Sequence, residues 1–130
     1  MSSTLPLITV IVVNDQIGIC KLWQQLLERT PGMSCPAYAK DGEQAVEIVR
    51  EVHPDVVLMD VLMPGMRGDE ATQIIKDEFP DTIVIMYSAD GSTEPIARAA
   101  GAEEFLSMPV MPAHLASTIR RIYKEQNGHD

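Results

Sequence analysis

Residues 54–68 read PDVVLMDVLMPGMRG. Its apolar run, 56–59, lies between a turn and a loop rich in proline and glycine, which is typical of a central strand in a parallel sheet. Asp60 follows the run directly. Because open α/β sheets bind ligands at the carboxyl ends of their strands, the sequence predicts a functional role for this carboxylate.

The rest of the chain alternates between strand-like and helix-like patterns. Apolar and β-branched residues predict further strands at 8–13, 34–39, 82–87 and 104–107. Apolar residues at helical spacing predict helices at 16–29, 43–52, 69–78, 92–101 and 111–125. Asp69 is expected to cap the third helix, and Ser92 or Thr93 the fourth. This alternation predicts a doubly wound α/β fold, with a five-stranded parallel sheet and helices on both faces.

The composition argues against several classes of function. The chain has 130 residues, of which 45% are hydrophobic, and is expected to form one domain with a substantial core. Its net charge of −9 argues against direct nucleic-acid binding, because an acidic domain repels phosphates. The charge suits a protein that works with metal ions or basic partner surfaces. No apolar run approaches the ~20 residues of a membrane span.

Two further features favour a cytoplasmic location. Segment 1–6 has no basic region, so it is not expected to be a secretory signal. Cys20 falls in a helical pattern and Cys35 in a strand pattern. Both are therefore predicted to be apolar core residues in a reducing compartment, rather than members of a disulfide or a zinc site.

Polar side chains follow several of the predicted strands. Asn14 and Asp15 follow the first, Asp60 the third and Ser88 the fourth, so in a doubly wound sheet they surround one crevice. The two carboxylates repel each other unless a hard cation neutralises them, and Mg²⁺ suits such a site because it keeps several waters. A metal beside a free carboxylate prepares the site for a phosphoryl group, which the hydroxyl of Ser88 could bind.

Four segments, in this order and spacing, point to one family. They are VVND at 12–15, LMDVLMPGMRG at 58–68, SA at 88–89 and GAEEFLSMP at 101–109. With these segments, the whole chain resembles a single CheY-like receiver domain, 1–130, of bacterial two-component response regulators. The resemblance implies a flavodoxin-like sheet with strand order 2-1-3-4-5. It also implies a phosphorelay function, in which a histidine kinase or a phosphotransfer protein donates the phosphoryl group to a monomer or weak dimer.

The resemblance assigns a role to each matching residue. Asp60 matches the phosphoacceptor, and Asp15 matches a direct ligand of Mg²⁺ or Mn²⁺. The backbone carbonyl of Leu62 matches a third protein ligand, beside Asp15 and Asp60. Ser88 matches the hydroxyl that binds the phosphoryl group, and Phe105 the aromatic residue that switches rotamer with it. The surface of the fourth helix, fifth strand and fifth helix matches the face that binds a downstream protein.

Two positions depart from the family pattern. Asn14 stands where the family has an acidic residue that reaches the metal through water, which an amide oxygen can still do. Met108 stands where the family has a lysine that pairs with the phosphoacceptor, and methionine offers neither charge nor a donor. The usual three carboxylates and one ammonium carry a net charge of −2, and so do Asp15 and Asp60 alone. We therefore expect metal binding and phosphoryl acceptance to survive, with weaker coupling to the partner face.

Each of these residues also has a purely structural interpretation. Asp60 could be a turn residue, Asp15 a helix cap and Ser88 a residue that makes a local turn bond. Phe105 could be core packing, and Met108 could fill an apolar gap. Surface positions are expected for His53, His114 and His129, and a solvated face for Arg120, Arg121 and Lys124. The side chain of Leu62 could slow loss of a phosphoryl group by excluding water, and Asp90 could oppose this by holding water.

Two other functions compete with the phosphoacceptor switch. One is a protein-interaction module of the same fold that no longer depends on phosphorylation, which Asn14 and Met108 favour. The other is a small aspartate-nucleophile phosphatase. Such enzymes carry a second aspartate two residues after the nucleophile, and Leu62 occupies that position. We therefore expect no enzymatic activity beyond self-phosphotransfer and autodephosphorylation.

Overall fold

Five strands alternate with five α-helices in the part of the chain that the structure describes. The computed structural model describes residues 7–128, so segment 1–6 and His129 lie outside the described residues. The strands are β1 (Ile8–Val13), β2 (Met33–Ala39), β3 (Val56–Asp60), β4 (Ile83–Ser88) and β5 (Glu104–Ser107), and the helices are α1 (Ile17–Glu28), α2 (Gly42–Val52), α3 (Gly68–Glu78), α4 (Glu94–Ala100) and α5 (Pro112–Gln126). No helix within the described residues is long and apolar enough to cross a membrane.

The strands form one sheet in the order β2-β1-β3-β4-β5, and every neighbouring pair is parallel. This confirms the doubly wound fold and the strand order 2-1-3-4-5. The register places Val13 beside Met59, Asp60 beside Tyr87, and Ser88 beside Ser107. The polar residues at the strand ends therefore lie along one edge of the sheet, as the sequence predicts.

Two apolar cores cover the two faces of the sheet. On β1, Ile11 and Val13 face the core that α2, α3 and α4 cover, whereas Val10 and Val12 face the core that α1 and α5 cover. All four side chains are fully buried. Each such side chain contributes about 1.5–3 kcal/mol to stability. Cys35 and Cys20 both lie in the second core, as predicted.

The predicted helix cap is wrong at α3 and right only in position at α4. Asp69 does not cap α3, because the chain turns back one residue earlier and Gly68 N donates to the Val61 carbonyl (3.1 Å). The helix therefore starts at Gly68, and Asp69 lies in its first turn. Thr93 is the N-cap residue of α4, as one of the two alternatives predicts, but its side chain makes no capping hydrogen bond. A short 3-10 turn, Gly91–Thr93, precedes that helix and is capped by Asp90, whose carboxylate accepts from Ser92 N (3.0 Å).

The predicted surface positions are confirmed where the structure describes them. His53 and His114 are exposed, and so are Arg120, Arg121 and Lys124. The arginines are nevertheless held by partners. Arg120 donates to the Pro31 carbonyl (3.0 Å), and Arg121 pairs with Glu104 on β5 (3.2 Å).

Candidate functional site

A cleft of about 450 Å³ lies at the carboxyl edge of the sheet. It brings together most of the residues that the sequence singles out: Asn14, Asp15, Asp60, Leu62, Ser88, Asp90 and Met108. Phe105 is absent from its lining, because that side chain is buried in the core beneath α2, α3 and α4. Phe105 is therefore packed in the core, and its role as the aromatic residue that switches rotamer stays a prediction.

Asp60 is the last residue of β3 and is half-buried. Burial raises the pKa of its carboxyl group to about 6, because the charged form loses water; the Leu62 N–H opposes this shift, and the charge of Asp15 adds to it. The bond from Leu62 N to Asp60 Oδ1 is long, at 3.4 Å. Because few hydrogen bonds stabilise the negative charge of Asp60, its carboxylate can bind a cation or an electrophile.

Asp15 contributes the second carboxylate of the cleft. It is exposed, and its side chain makes no hydrogen bond within residues 7–128. It does not cap α1, because Gln16 is the N-cap residue of that helix and no side chain caps its first turn. The N–H of Gln16 is bound by Asn14 Oδ1 (2.8 Å). Both oxygens of Asp15 therefore remain available to a ligand, and the helix-cap interpretation is wrong.

The donor set of the cleft fits a hard divalent cation. Its lining contains Asp15 and Asp60 but neither lysine nor arginine, so their negative charges are not balanced by the side chains around them. Within the described residues, no cluster of three or more His, Cys, Asp or Glu side chains could hold a metal. Two carboxylates suit Mg²⁺, which completes its octahedral shell with water, better than a transition metal that needs nitrogen or sulfur ligands.

Asn14 is buried and hydrogen-bonded at both ends of its carboxamide. Besides the bond that Oδ1 accepts from Gln16 N, Nδ2 donates to Tyr87 Oη (3.0 Å). Tyr87 Oη in turn donates to the Val13 carbonyl (2.8 Å). Tyr87 is not predicted as a site residue from the sequence. The one feature of the sequence that could have indicated it is a tyrosine hydroxyl between the apolar run IVIM and Ser88.

Ser88 is buried at the end of β4, with 3% of its surface exposed. Its oxygen accepts from Asp90 N (3.0 Å), so the local turn bond is present. A hydroxyl that accepts one bond keeps its proton for another acceptor, and that acceptor can lie in the cleft. The Asp90 carboxylate is engaged by Ser92, through N (3.0 Å) and Oγ (2.6 Å).

Met108 lies between two cavities. It lines the acidic cleft, and it also lines a small apolar cavity of about 20 Å³ beside Trp23 and Leu58. The side chain packs against the core beneath α1 and α5. Met108 therefore fills an apolar gap, as one interpretation of the sequence holds. It also gives the acidic cleft an uncharged side chain in its lining.

The loop after Asp60 is held by two close approaches of glycine to backbone. A β-carbon at Gly68 would lie 1.9 Å from the Asp60 carbonyl oxygen, and one at Gly42 would lie 2.7 Å from the Met66 carbonyl oxygen. The loop is also tied to the sheet, because Val61 N donates to the Tyr87 carbonyl (3.0 Å). These contacts fix the direction in which the backbone leaves Asp60.

The surface of α4, β5 and α5 carries one continuous ionic cluster. Glu104 on β5 accepts from Arg98 on α4 (2.7 Å) and from Arg121 on α5 (3.2 Å). Arg98 also pairs with Glu94 (3.1 Å) and Arg121 with Glu125 (3.7 Å). Single exposed pairs contribute about 0–1 kcal/mol, so the cluster matters chiefly by linking three elements.

Comparison with known proteins gives a consistent result. The family model described as the response regulator receiver domain matches residues 10–120. The chain is 33% identical over 121 residues to protein-glutamate methylesterase/protein-glutamine glutaminase 2 of Burkholderia thailandensis, a match that covers 89% of this chain and 34% of that protein. It is 29% identical over 117 residues to the chemotaxis protein CheY of Thermotoga maritima, covering 88% of this chain and 97% of that one.

The fold has close counterparts among solved structures. The response regulator domain of Thermotoga maritima CheB superposes with a TM-score of 0.78 at 29% identity, covering 95% of this chain and 98% of that one. The chain thus spans about a third of the length of the methylesterase it matches, and nearly the whole length of the chemotaxis protein.

Proposed function

The chain belongs to the family of response regulator receiver domains, and on this premise we propose that Asp60 is the phosphoacceptor of a two-component signalling pathway. The observation that carries the proposal is the paired carboxylates of Asp60 and Asp15 in one cleft that no basic side chain lines. The donor is a histidine kinase or a phosphotransfer protein, in the cytoplasm. For these residues we propose no methylesterase activity, and no chemistry beyond self-phosphotransfer and autodephosphorylation.

We propose Mg²⁺, or Mn²⁺ in its place, as the cofactor. Asp15, Asp60 and the backbone carbonyl of Leu62 would hold it, and Asn14 Oδ1 keeps one lone pair for a metal-bound water. When bound, the metal neutralises the carboxylates and the oxygens of the transferred phosphoryl group.

The reaction itself needs only a few groups of this chain. An Asp60 carboxylate oxygen forms a bond to phosphorus as the phosphorus–nitrogen bond of the donor's phosphohistidine breaks, and the electron pair of that bond stays on the imidazole. The hydroxyl of Ser88 donates to a phosphoryl oxygen. The half-buried position of Asp60 limits water around the new acyl phosphate.

The test is labelling with a small phosphoryl donor. With acetyl phosphate and Mg²⁺, the wild-type chain should gain the mass of one phosphoryl group, located on the peptide that contains Asp60. Chelation with EDTA should abolish the gain, because the carboxylates then repel the donor. Asp60→Asn should show no gain, whereas Asp77→Asn, an exposed carboxylate on α3, should label like wild type. Equal labelling of Asp60→Asn would refute the assignment.

One set of observations favours a second function, that of an interaction module that does not depend on phosphorylation. Met108 offers no positive charge that could pair with a phosphoryl group. Phe105 is already buried, and Glu104 links α4 to α5 through its ion pairs with Arg98 and Arg121. A domain with these features could present a fixed α4-β5-α5 face to its downstream partner. The two functions differ in whether loading Asp60 changes the environment of Arg98, Glu104 and Arg121.

A further inference from the structure

Tyr87 connects the two strand ends that carry the carboxylates of the site. Its backbone carbonyl accepts from Val61 N (3.0 Å), directly after Asp60, and its residue pairs with Asp60 in the sheet register. Its side chain reaches across the sheet to β1, where the hydroxyl donates to the Val13 carbonyl (2.8 Å). One residue of β4 therefore touches both the end of β3 and the end of β1.

Tyr87 and Asn14 are matched as acceptor and donor. The phenol has one proton, and it donates this proton in a hydrogen bond to the Val13 carbonyl, which can only accept. The oxygen of the hydroxyl then accepts from Asn14 Nδ2 (3.0 Å). The orientation of the carboxamide is fixed, because its other end faces the N–H of Gln16 and must be the oxygen. A carboxylate at position 14 could not donate to Tyr87 in this arrangement.

Asn14 in turn sets the backbone that carries Asp15. The bond from Gln16 N to Asn14 Oδ1 (2.8 Å) closes an Asx turn, and Asp15 is the residue inside it. The backbone of Asn14 is held as well, since its N–H donates to the Ala39 carbonyl (3.0 Å). The side chain of Asn14 is buried, so its hydrogen bonds are not exchanged freely with water.

We propose that Tyr87 is a positioning residue of the metal site: its hydroxyl orients Asn14, and the Asx turn of Asn14 presents Asp15 toward Asp60. This inference rests on the proposed function, because it gives Asp15 and Asp60 a common cation. It also accounts for asparagine at position 14, where the family has an acidic residue. Tyr87 requires a donor there, and asparagine supplies one while keeping the oxygen that closes the turn.

The test measures the dissociation constant of Mg²⁺ by calorimetry, with the paramagnetic broadening of NMR signals by Mn²⁺ as a second readout. Tyr87→Phe keeps the ring and the backbone bond to Val61 but removes the hydroxyl. Loss of a partner behind a metal ligand typically costs 10–100-fold in metal affinity, so we expect the constant to rise by about 10-fold or more. Tyr123→Phe, which removes the same hydroxyl from α5 far from the cleft, should leave it unchanged.

A double-mutant cycle separates this role from a general effect on packing. Asn14→Ala should also weaken Mg²⁺ binding, and adding Tyr87→Phe to it should cause no further loss, because the phenol acts through Asn14. Full additivity of the two losses would overturn the inference. So would a Tyr87→Phe chain that is folded and binds Mg²⁺ as well as wild type.

Two measurements on wild type keep the inference testable if the variants do not fold. The side-chain amide protons of Asn14 should exchange with solvent more slowly than those of exposed Gln73 or Asn127, and rapid exchange would contradict the network. Absence of Mg²⁺ binding in wild type, or equal binding by Asp60→Asn, would overturn the proposed function and this inference with it. Normal, Asp60-dependent binding that Tyr87→Phe leaves intact would overturn the inference alone.

Discussion

Met108→Lys is expected to accelerate phosphorylation of Asp60 by acetyl phosphate by about 100-fold, since one well-placed donor at a reacting oxyanion contributes about 10²–10³ in rate. The aliphatic stem of lysine can follow the apolar path of the methionine, and the ammonium can extend into the cleft that Met108 already lines. The added charge would sit beside the carboxylate and the incoming phosphoryl group, where the wild-type chain has none.

The same substitution should change the pH dependence of labelling. Burial raises the pKa of Asp60 to about 6 in the wild-type chain without metal, so protonation removes the nucleophilic carboxylate as the pH falls through that value. An ammonium nearby favours the charged form and lowers this pKa. Protons and Mg²⁺ compete for this carboxylate, so at sub-saturating Mg²⁺ wild-type labelling should decline between about pH 7 and 5, and the decline in Met108→Lys should begin at lower pH.

The matched control is Met111→Lys. Met111 has 72% of its surface exposed and lies three residues further along, outside the cleft, so this variant adds the same charge without a new contact to Asp60. Initial rates are measured by intact mass at several pH values. Equal acceleration in both lysine variants would mean that net charge, rather than a contact at Asp60, limits the reaction.

Gly68→Ala is expected to destabilise the fold by about 3 kcal/mol or more, at the upper end of the range for overpacking. The added carbon would lie 1.9 Å from the Asp60 carbonyl oxygen and 3.1 Å from the Met59 side chain. Backbone atoms cannot swing aside as the end of a flexible side chain can. Relief therefore requires that α3 move away or that the peptide after Asp60 rotate, and either change disturbs the site.

Gly18→Ala is the control for this prediction. Gly18 lies in the first turn of α1, and a β-carbon there meets no atom within 4 Å. Alanine favours the helix by about 0.5–1 kcal/mol over glycine, so this variant should be more stable than wild type. Urea unfolding measures both free energies. A Gly68→Ala chain as stable as wild type would show that the loop after Asp60 is not held as described.

The sequence predicts the fold well because two separate signals agree. The apolar runs 8–13 and 56–59 are too continuous for strands with one exposed face, so they indicate buried strands. The amphipathic segments of the chain have the length and the period of helices. The helix starts are predicted less well. Asp69 has the chemistry of a cap, but the bond from Gly68 N to the Val61 carbonyl starts α3 a residue earlier, and a local pattern does not contain that contact.

The sequence predicts which residues form the site, but not the hydrogen bonds between them. Asp15, Asp60 and Ser88 follow strands, so the topology alone brings them to one edge. The bond between Asn14 and Tyr87 joins residues 73 positions apart on strands that are not neighbours, so it is invisible to periodicity. Likewise, the sequence places Met108 at the site but cannot say that it also closes an apolar cavity beside Trp23.

The most direct test of the central claim, that Asp60 accepts a phosphoryl group beside a bound metal, is a beryllofluoride titration followed by backbone amide NMR shifts. With Mg²⁺ present, the amides of Leu62, Ser88 and Ala89 should shift to saturation, because beryllofluoride occupies the place of a phosphoryl group on the Asp60 carboxylate. Asp60→Asn should show no such shifts. A wild-type spectrum that does not change, or an Asp60→Asn spectrum that changes in the same way, would contradict the account.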